Sequence, residues 1–189
     1  VKDAGETVVT NTGNDHYPCL LQTSDGVLHL AWQRINGIEF PNVYYQRSAD
    51  GLTWSPEVAI TTSTTNLDWA PELFETSDGL HLLFSSDRQG NRNLFVQRST
   101  DSGLNWTAPV PVTQGAETDD FGQVSVISDV AFLTYNRWTT PDAIPTFPTA
   151  DANVMTMSSV DGLLWDDLAA AEFTTSAENN LLPTIFEVG

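Results

Sequence analysis

Apolar and polar positions along this chain follow a short strand-like rhythm that returns roughly every fifty residues, the length of one four-stranded repeat unit. The runs Cys19 to Thr23, Glu72 to Thr76 and Gln123 to Ile127 read as first strands. They close on Ser24-Asp25-Gly26, Ser77-Asp78-Gly79 and the shortened Ser128-Asp129. Asp-Gly is a strong hairpin signal. Second strands span Val27 to Gln33, Leu80 to Ser85 and Val130 to Asn136. They are nearly continuous in apolar residues and are therefore expected to be buried on both faces. Third strands begin at Asn42, Asn93 and Asn153, and fourth strands are expected at Pro56 to Thr61, Ala108 to Thr113 and Leu168 to Thr174. Loops lead into the first strands through His16-Tyr17-Pro18, Asp68-Trp69-Ala70-Pro71 and Asp120-Phe121-Gly122. Only Ala169-Ala170-Ala171 offers a competing helix, because alanine is the best helix former.

Between third and fourth strands the chain repeats one turn: Ser48-Ala49-Asp50-Gly51-Leu52-Thr53-Trp54, Ser99-Thr100-Asp101-Ser102-Gly103-Leu104-Asn105-Trp106 and Ser159-Val160-Asp161-Gly162-Leu163-Leu164-Trp165. Glycine supplies the backbone freedom, aspartate accepts from nearby amides, and tryptophan folds back as an apolar lid. Four antiparallel strands repeated at this period predict an all-β fold, a β-propeller. Three complete four-stranded blades are expected, at 17–66, 67–118 and 119–179. Residues 1–16 read as the outer strand of a preceding blade with its loop, and 180–189 as the first strand of a following one. Such a chain is part of a ring of about six blades, and its partial edges invite self-association.

Charge removes several partner classes. Twenty-five acidic against 7 basic residues give −18 over 189 residues. That field repels nucleic acid phosphates and anionic membrane surfaces. No apolar run approaches the ~18 residues of a membrane span. No signal peptide or initiator methionine is present, so the chain reads as a mature segment or an excised piece. Cys19 is the single cysteine, which excludes an intrachain disulfide and a cysteine zinc cluster. After Pro18 in an apolar run it is expected to be a buried small hydrophobe. No spaced calcium loop and no cofactor motif is found.

The three turns resemble the Asp box of bacterial neuraminidase repeats, S-x-D-x-G-x-T-W, and the chain resembles a sialidase-like β-propeller over nearly its whole length. The second copy departs at Asn105; the others are one residue shorter, and the third has Leu164 at the threonine. The resemblance implies a structural role for Ser48, Asp50, Gly51, Trp54, Ser99, Asp101, Gly103, Trp106, Ser159, Asp161, Gly162 and Trp165, on the blade face away from a site. It also implies an extracellular or cell-surface location. A sialidase uses three arginines to clamp the substrate carboxylate, a tyrosine nucleophile activated by glutamate, and an aspartic acid. The family's arginine-isoleucine-proline motif is absent here, so no residue takes a named catalytic role.

Comparison among the copies separates blade-building residues from candidates for chemistry. His29 and His81 occupy a position that accepts Phe132 in the third copy, which marks packing. Arg47 and Arg98, matched by Ser158, read as packed stems with solvated heads. Arg34, Arg88, Arg92 and Arg137 all fall at or beyond the end of a second strand. Their planar forks suit an anionic ligand, or else neutralise Asp15, Asp68, Asp87, Asp119 and Asp120. Tyr17, Asp68, Trp69 and Trp138 join them as ligand-binding candidates, while Asp15, Asp120, Phe121 and His16 share the same loops. Tyr17, Glu72 and Asp68 are placed where they would supply chemistry. The long connection from Trp138 to Ala152, with Pro141, Pro145 and Pro148, is expected to be functional. The residues favour a binding segment that reads acidic glycan or protein through these loops without a complete catalytic set. The alternative is a fragment of an exo-sialidase or other glycoside hydrolase.

Overall fold

The computed structural model describes residues 13–37, 40–138 and 152–165, and the backbone of Ala171–Glu172. The flanking strands expected within 1–12 and 180–189, the proline-rich connection 139–151 and most of the alanine run lie outside the described residues. The described residues form twelve strands and no helix. The first sheet holds β1 (Asn14–Gln22), β2 (Leu28–Ile35), β3 (Asn42–Ser48) and β4 (Val58–Ala59). The second holds β5 (Asp68–Thr76), β6 (Gly79–Ser86), β7 (Asn93–Ser99) and β8 (Val110–Pro111). The third holds β9 (Thr118–Ile127), β10 (Val130–Trp138), β11 (Ala152–Ser159) and β12 (Ala171–Glu172). Strands pair antiparallel in chain order in every sheet, as in a stack of meanders.

Of the second strands, β6 is buried on both faces because it stands between neighbouring sheets, whereas in β2 and β10 the expectation of two buried faces is met only in part, Leu28, Leu30, Val130 and Phe132 being half-buried. Leu80, Leu82 and Phe84 of β6 pack with Ala31 and Val43 of the first sheet. Leu83 points the other way and joins Leu133, Tyr135, Met155 and Met157 of the third. Alternation along one strand thus fills two cores. His29 and His81 are fully buried, as their repeat position predicts. Between sheets, the Ser24 amide and hydroxyl donate to Glu75 at 2.7 and 3.0 Å. The Ser77 amide donates to Asp129 at 2.7 Å, and its hydroxyl bonds the same carboxylate.

Three expectations change. The loops leading into the first strands are themselves strand, interrupted by a bulge at His16/Cys19, Trp69/Glu72 and opposite Thr134/Asn136. Proline or glycine in the bulge hid the continuity, since the pattern reads there as a break. The fourth strands of the first two sheets pair over only two residues, and in the third sheet the described pairing is that of Ala171–Glu172. Thr61 and Thr113 then turn their hydroxyls inward, accepting from the Val43 and Leu94 amides at 2.9 and 3.0 Å. Asn42 and Asn93 accept from those threonine hydroxyls, which accounts for the asparagine that opens β3 and β7. Finally, Cys19 is half-buried, and its Sγ accepts from the Leu73 amide of the next sheet at 3.2 Å.

The Ser-x-Asp turns share one hydrogen-bond scheme. Asp50 Oδ1 accepts from the Leu52 and Thr53 amides at 2.8 and 2.7 Å, and Asp161 Oδ1 from Leu163 and Leu164 at 2.9 and 2.8 Å. Asp101 accepts from the Asn105 amide and side chain, so asparagine replaces threonine without losing the turn. The serine Oγ accepts from Gly51, Gly103 or Gly162 at 2.9, 2.8 and 3.0 Å. These amide donors, Thr53 foremost, hold the Asp50 carboxyl down at about 2, and Asn105 does the same for Asp101. The tryptophans pack between sheets: Trp106 meets Tyr45 edge-on at 5.3 Å and Trp165 meets Phe74 at 6.3 Å.

Candidate functional site

The three bulges place Tyr17, Ala70 and Phe121 at φ 50, 49 and 54, a left-handed conformation that non-glycine residues adopt at a cost. The same strained conformation recurs at one end of all three first strands. Two residues ahead of each bulge stands an aspartate: Asp15, Asp68 or Asp119. The true counterpart of Asp68 is thus Asp119, one residue earlier than the alignment on Asp120 suggests.

Every candidate arginine holds a carboxylate. Arg34, buried at 4% exposure, donates to Asp15 at 2.8 Å and by both terminal nitrogens to Glu57 at 2.6 and 2.9 Å. Its guanidinium lies 4.3 Å from the Tyr44 ring centroid. Arg88 donates to Asp68 at 2.8 Å. Arg137 makes two bonds to Asp119, each 2.8 Å. Arg92 donates to Asp120 at 3.0 Å and covers the Trp69 ring at 5.7 Å. A guanidinium fork engaged in this way has little left to offer a ligand carboxylate. Arg47, expected to carry a solvated head, donates instead to the Ser102 carbonyl of the next sheet at 2.9 Å.

Only part of the predicted set converges. Tyr17, Trp69, Phe121, Arg92, Gln33 and Asn91 line a cavity of about 380 Å³ at the bulged end of the sheets. Tyr17 and Phe121 come from the first and third sheets, yet their rings lie 6.2 Å apart at 50°. Trp69 lines the same cavity and is held in place, its Nε1 donating to Asp120 Oδ1 at 2.9 Å. Asp120 is fully buried, and burial pushes its carboxyl up to about 6 against the opposing pull of Arg92. Arg88 and Asp68 line a separate groove. Trp138 is buried beneath Phe121, against Ala152. Arg34 and Arg137 are absent from the cavity wall.

Two residues past Tyr17, Ala70 and Phe121, just beyond each bulge, Cys19, Glu72 and Gln123 occupy corresponding positions on three successive sheets. Gln123 donates to Glu72 at 3.4 Å. Burial lifts the Glu72 carboxyl to about 7 and the Cys19 thiol to about 12, the latter reinforced by Glu72. Glu72 therefore holds a proton close to neutrality. Sequence reasoning missed Glu57 and the Cys19–Glu72 contact, since both depend on cross-strand register. The threefold aspartate two residues before each bulge was available as a signal for the ion pairs. Among the described residues no cluster of histidine, cysteine or carboxylate groups is arranged for a metal.

No family model matches the chain. Over 98 residues it is 32% identical to sialidases of Vibrio cholerae serotype O1, covering 44% of this chain and 12% of the relative. The α-L-arabinanase of Penicillium chrysogenum, solved with arabinobiose, superposes with a TM-score of 0.68 at 16% identity, covering 87% of this chain and 52% of that one. The GH93 α-L-arabinofuranosidase of Fusarium graminearum, also with arabinobiose, gives 0.62 at 18%, covering 82% and 47%. A thermostable family-43 glycoside hydrolase gives 0.58 at 14%, covering 84% and 53%. The all-β fold is that of β-propeller glycoside hydrolases, with weak sequence similarity to a sialidase. The chain spans about an eighth of the curated relatives it matches, and about half of these structures.

Proposed function

We propose that this chain is a segment of a β-propeller glycoside hydrolase and that its bulged end binds a saccharide. The observation that carries the reading is the cavity at the strained ends of three first strands, walled by Tyr17, Trp69 and Phe121. Aromatic faces suit the C–H faces of a sugar ring, and buried polar neighbours fix their orientation. The hydrolase relatives favour this over a non-catalytic binding segment. Glu72 is the carboxyl that can keep a proton for acid chemistry along the same strands, because burial opposes its ionisation. The three turns are Asp boxes in this reading, serving inter-blade packing. Flanking blades, a ring of about six and a secreted or surface location belong to the same proposal.

The ligand is better matched by an uncharged sugar than by an acidic one, since Arg92, the arginine among the described residues of the cavity wall, already serves Asp120. Calorimetric titration of the chain with arabinobiose and with sialyllactose tests this. Arabinobiose is expected to bind, and Trp69→Ala to weaken it at least about tenfold, the loss of roughly one aromatic platform. Tighter binding of sialyllactose, or binding indifferent to Trp69→Ala, overturns the assignment. The catalytic part of the reading is tested on the full-length parent: arabinan or sialoside hydrolysis that survives Glu72→Gln unchanged removes Glu72 from the chemistry.

A further inference from the structure

Of the aspartates that the sequence sets against the arginines, Asp15, Asp68, Asp119 and Asp120 are each held by a guanidinium at 2.8 to 3.0 Å. Asp87 has no such partner. It lines the aromatic cavity, half-buried, and no basic side chain of the described residues lies within ion-pairing distance of it. The Leu67 amide fixes its Oδ1 at 2.8 Å, and the Asp87 amide donates in return to the Leu67 carbonyl at 3.3 Å. Its Oδ2 accepts from no group of the described residues and is open to solvent, unlike the sealed acceptors of the sheets. The feature belongs to one repeat. Arg34, Ser86 and Arg137 pair with Asn42, Asn93 and Asn153, so the residues that follow them correspond: Ile35, Asp87 and Trp138. A group that builds every sheet would recur, and this carboxylate does not.

The surroundings narrow what can answer it. Arg92, the other charged wall residue among those described, is matched by the buried Asp120. Tyr17 is 51% exposed, and its ring stands 6.2 Å from that of Phe121. Aromatic faces beside an unpaired carboxylate attract a cation, through the ring quadrupole and the charge together. The net charge of −18 raises the concentration of cations in such a cleft. A neutral hydroxyl can donate to Asp87 Oδ2, but it leaves uncompensated a charge that is compensated at each neighbouring aspartate. We propose that this cavity selects a saccharide bearing a free ammonium group, an amino sugar, with Asp87 as its counter-ion. The assignment rests on the saccharide reading of the cavity and adds the charge that the ligand carries.

The probes are the glucosamine dimer chitobiose, with both amines free, and cellobiose, which has the same linkage with hydroxyls in their place. At about pH 6 the amines keep their protons. Calorimetry on the full chain at low salt is expected to give about tenfold tighter binding of the amino sugar, an advantage that shrinks in about 0.5 M salt. Asp87→Asn keeps the acceptor for the Leu67 amide and should bring the amino sugar down to the affinity of cellobiose. Asp78→Asn, which removes one charge at the turn between β5 and β6, should keep the advantage. Equal binding of the two sugars by the wild type, or an advantage that survives Asp87→Asn, overturns the ammonium assignment and leaves the saccharide reading standing. If no sugar binds, arabinobiose included, the saccharide reading falls and the amino-sugar assignment with it. Binding of tetramethylammonium without any sugar gives the cavity to a cation of another class and likewise overturns the proposal.

Discussion

Glu72 should make the stability of this protein fall as pH rises through neutrality. Its carboxyl sits between Cys19 of the preceding sheet and Gln123 of the following one, and burial moves it from the ordinary 4.5 to about 7. A carboxyl whose folded value is raised contributes fully below the unfolded value and loses that contribution as pH climbs through the folded one. The window is therefore about pH 4.5 to 7, with the loss complete near pH 8. Between pH 5 and pH 8 the linkage amounts to roughly 2–3 kcal/mol from this group alone, at about 1.4 kcal/mol per pH unit. For a chain of this size that corresponds to a fall of about 5–10 °C in Tm. Urea unfolding followed by tryptophan fluorescence at both pH values reads it directly. Glu72→Gln keeps shape and hydrogen-bonding capacity and should flatten the difference by that amount. A variant that keeps the wild-type pH slope refutes the buried, proton-holding carboxyl.

Three further outcomes follow from packing and pairing. Leu82→Ala empties a fully buried site between the first two sheets and should cost about 2–5 kcal/mol by urea denaturation; a cost below about 1 kcal/mol means the sheets are not packed as described. Gly103→Ala drives a methyl into the Tyr45 hydroxyl at φ +81, and Tyr45 is held by His29 at 2.6 Å. It should cost about 1–3 kcal/mol, and a neutral result in thermal unfolding contradicts the contact. Arg92→Met strands the buried Asp120 and should cost about 3–5 kcal/mol at pH 8. Removing the cation raises the Asp120 carboxyl further, so the deficit should shrink toward pH 5 and be relieved by adding Asp120→Asn; equal deficits at both pH values speak against the pair.

Much of the fold was legible because its signals are local. Short apolar runs of strand length, Asp-Gly turns and the Ser-x-Asp turn each act within a few residues, and all reappear in the sheets. The bulges were not legible as strand, since Tyr17, Ala70 and Phe121 take a conformation that sequence pattern assigns to loops. That error shifted the third copy by one residue and hid Asp119 behind Asp120. The arginines illustrate the other limit. Their clustering in one kind of loop was readable, but the partner of each depends on register: Glu57 reaches Arg34 from beyond the third strand, and Arg88 takes Asp68 by folding back from its loop. Convergence of Tyr17 and Phe121 across an intervening sheet is a matter of sheet stacking, which no single repeat encodes.

The serine and carboxylate contacts between sheets give the stack a head and a tail. Each uses different surfaces on its two partners, a heterologous association of the kind that continues until rotation closes it. The second sheet carries both halves within its own sequence, because Glu75 accepts from the sheet before it and Ser77 donates to the sheet after. A tandem copy of that sheet would thus meet its own complement, whereas an inverted copy would meet none. In this architecture the middle repeat is the one that can be duplicated without designing a new joint.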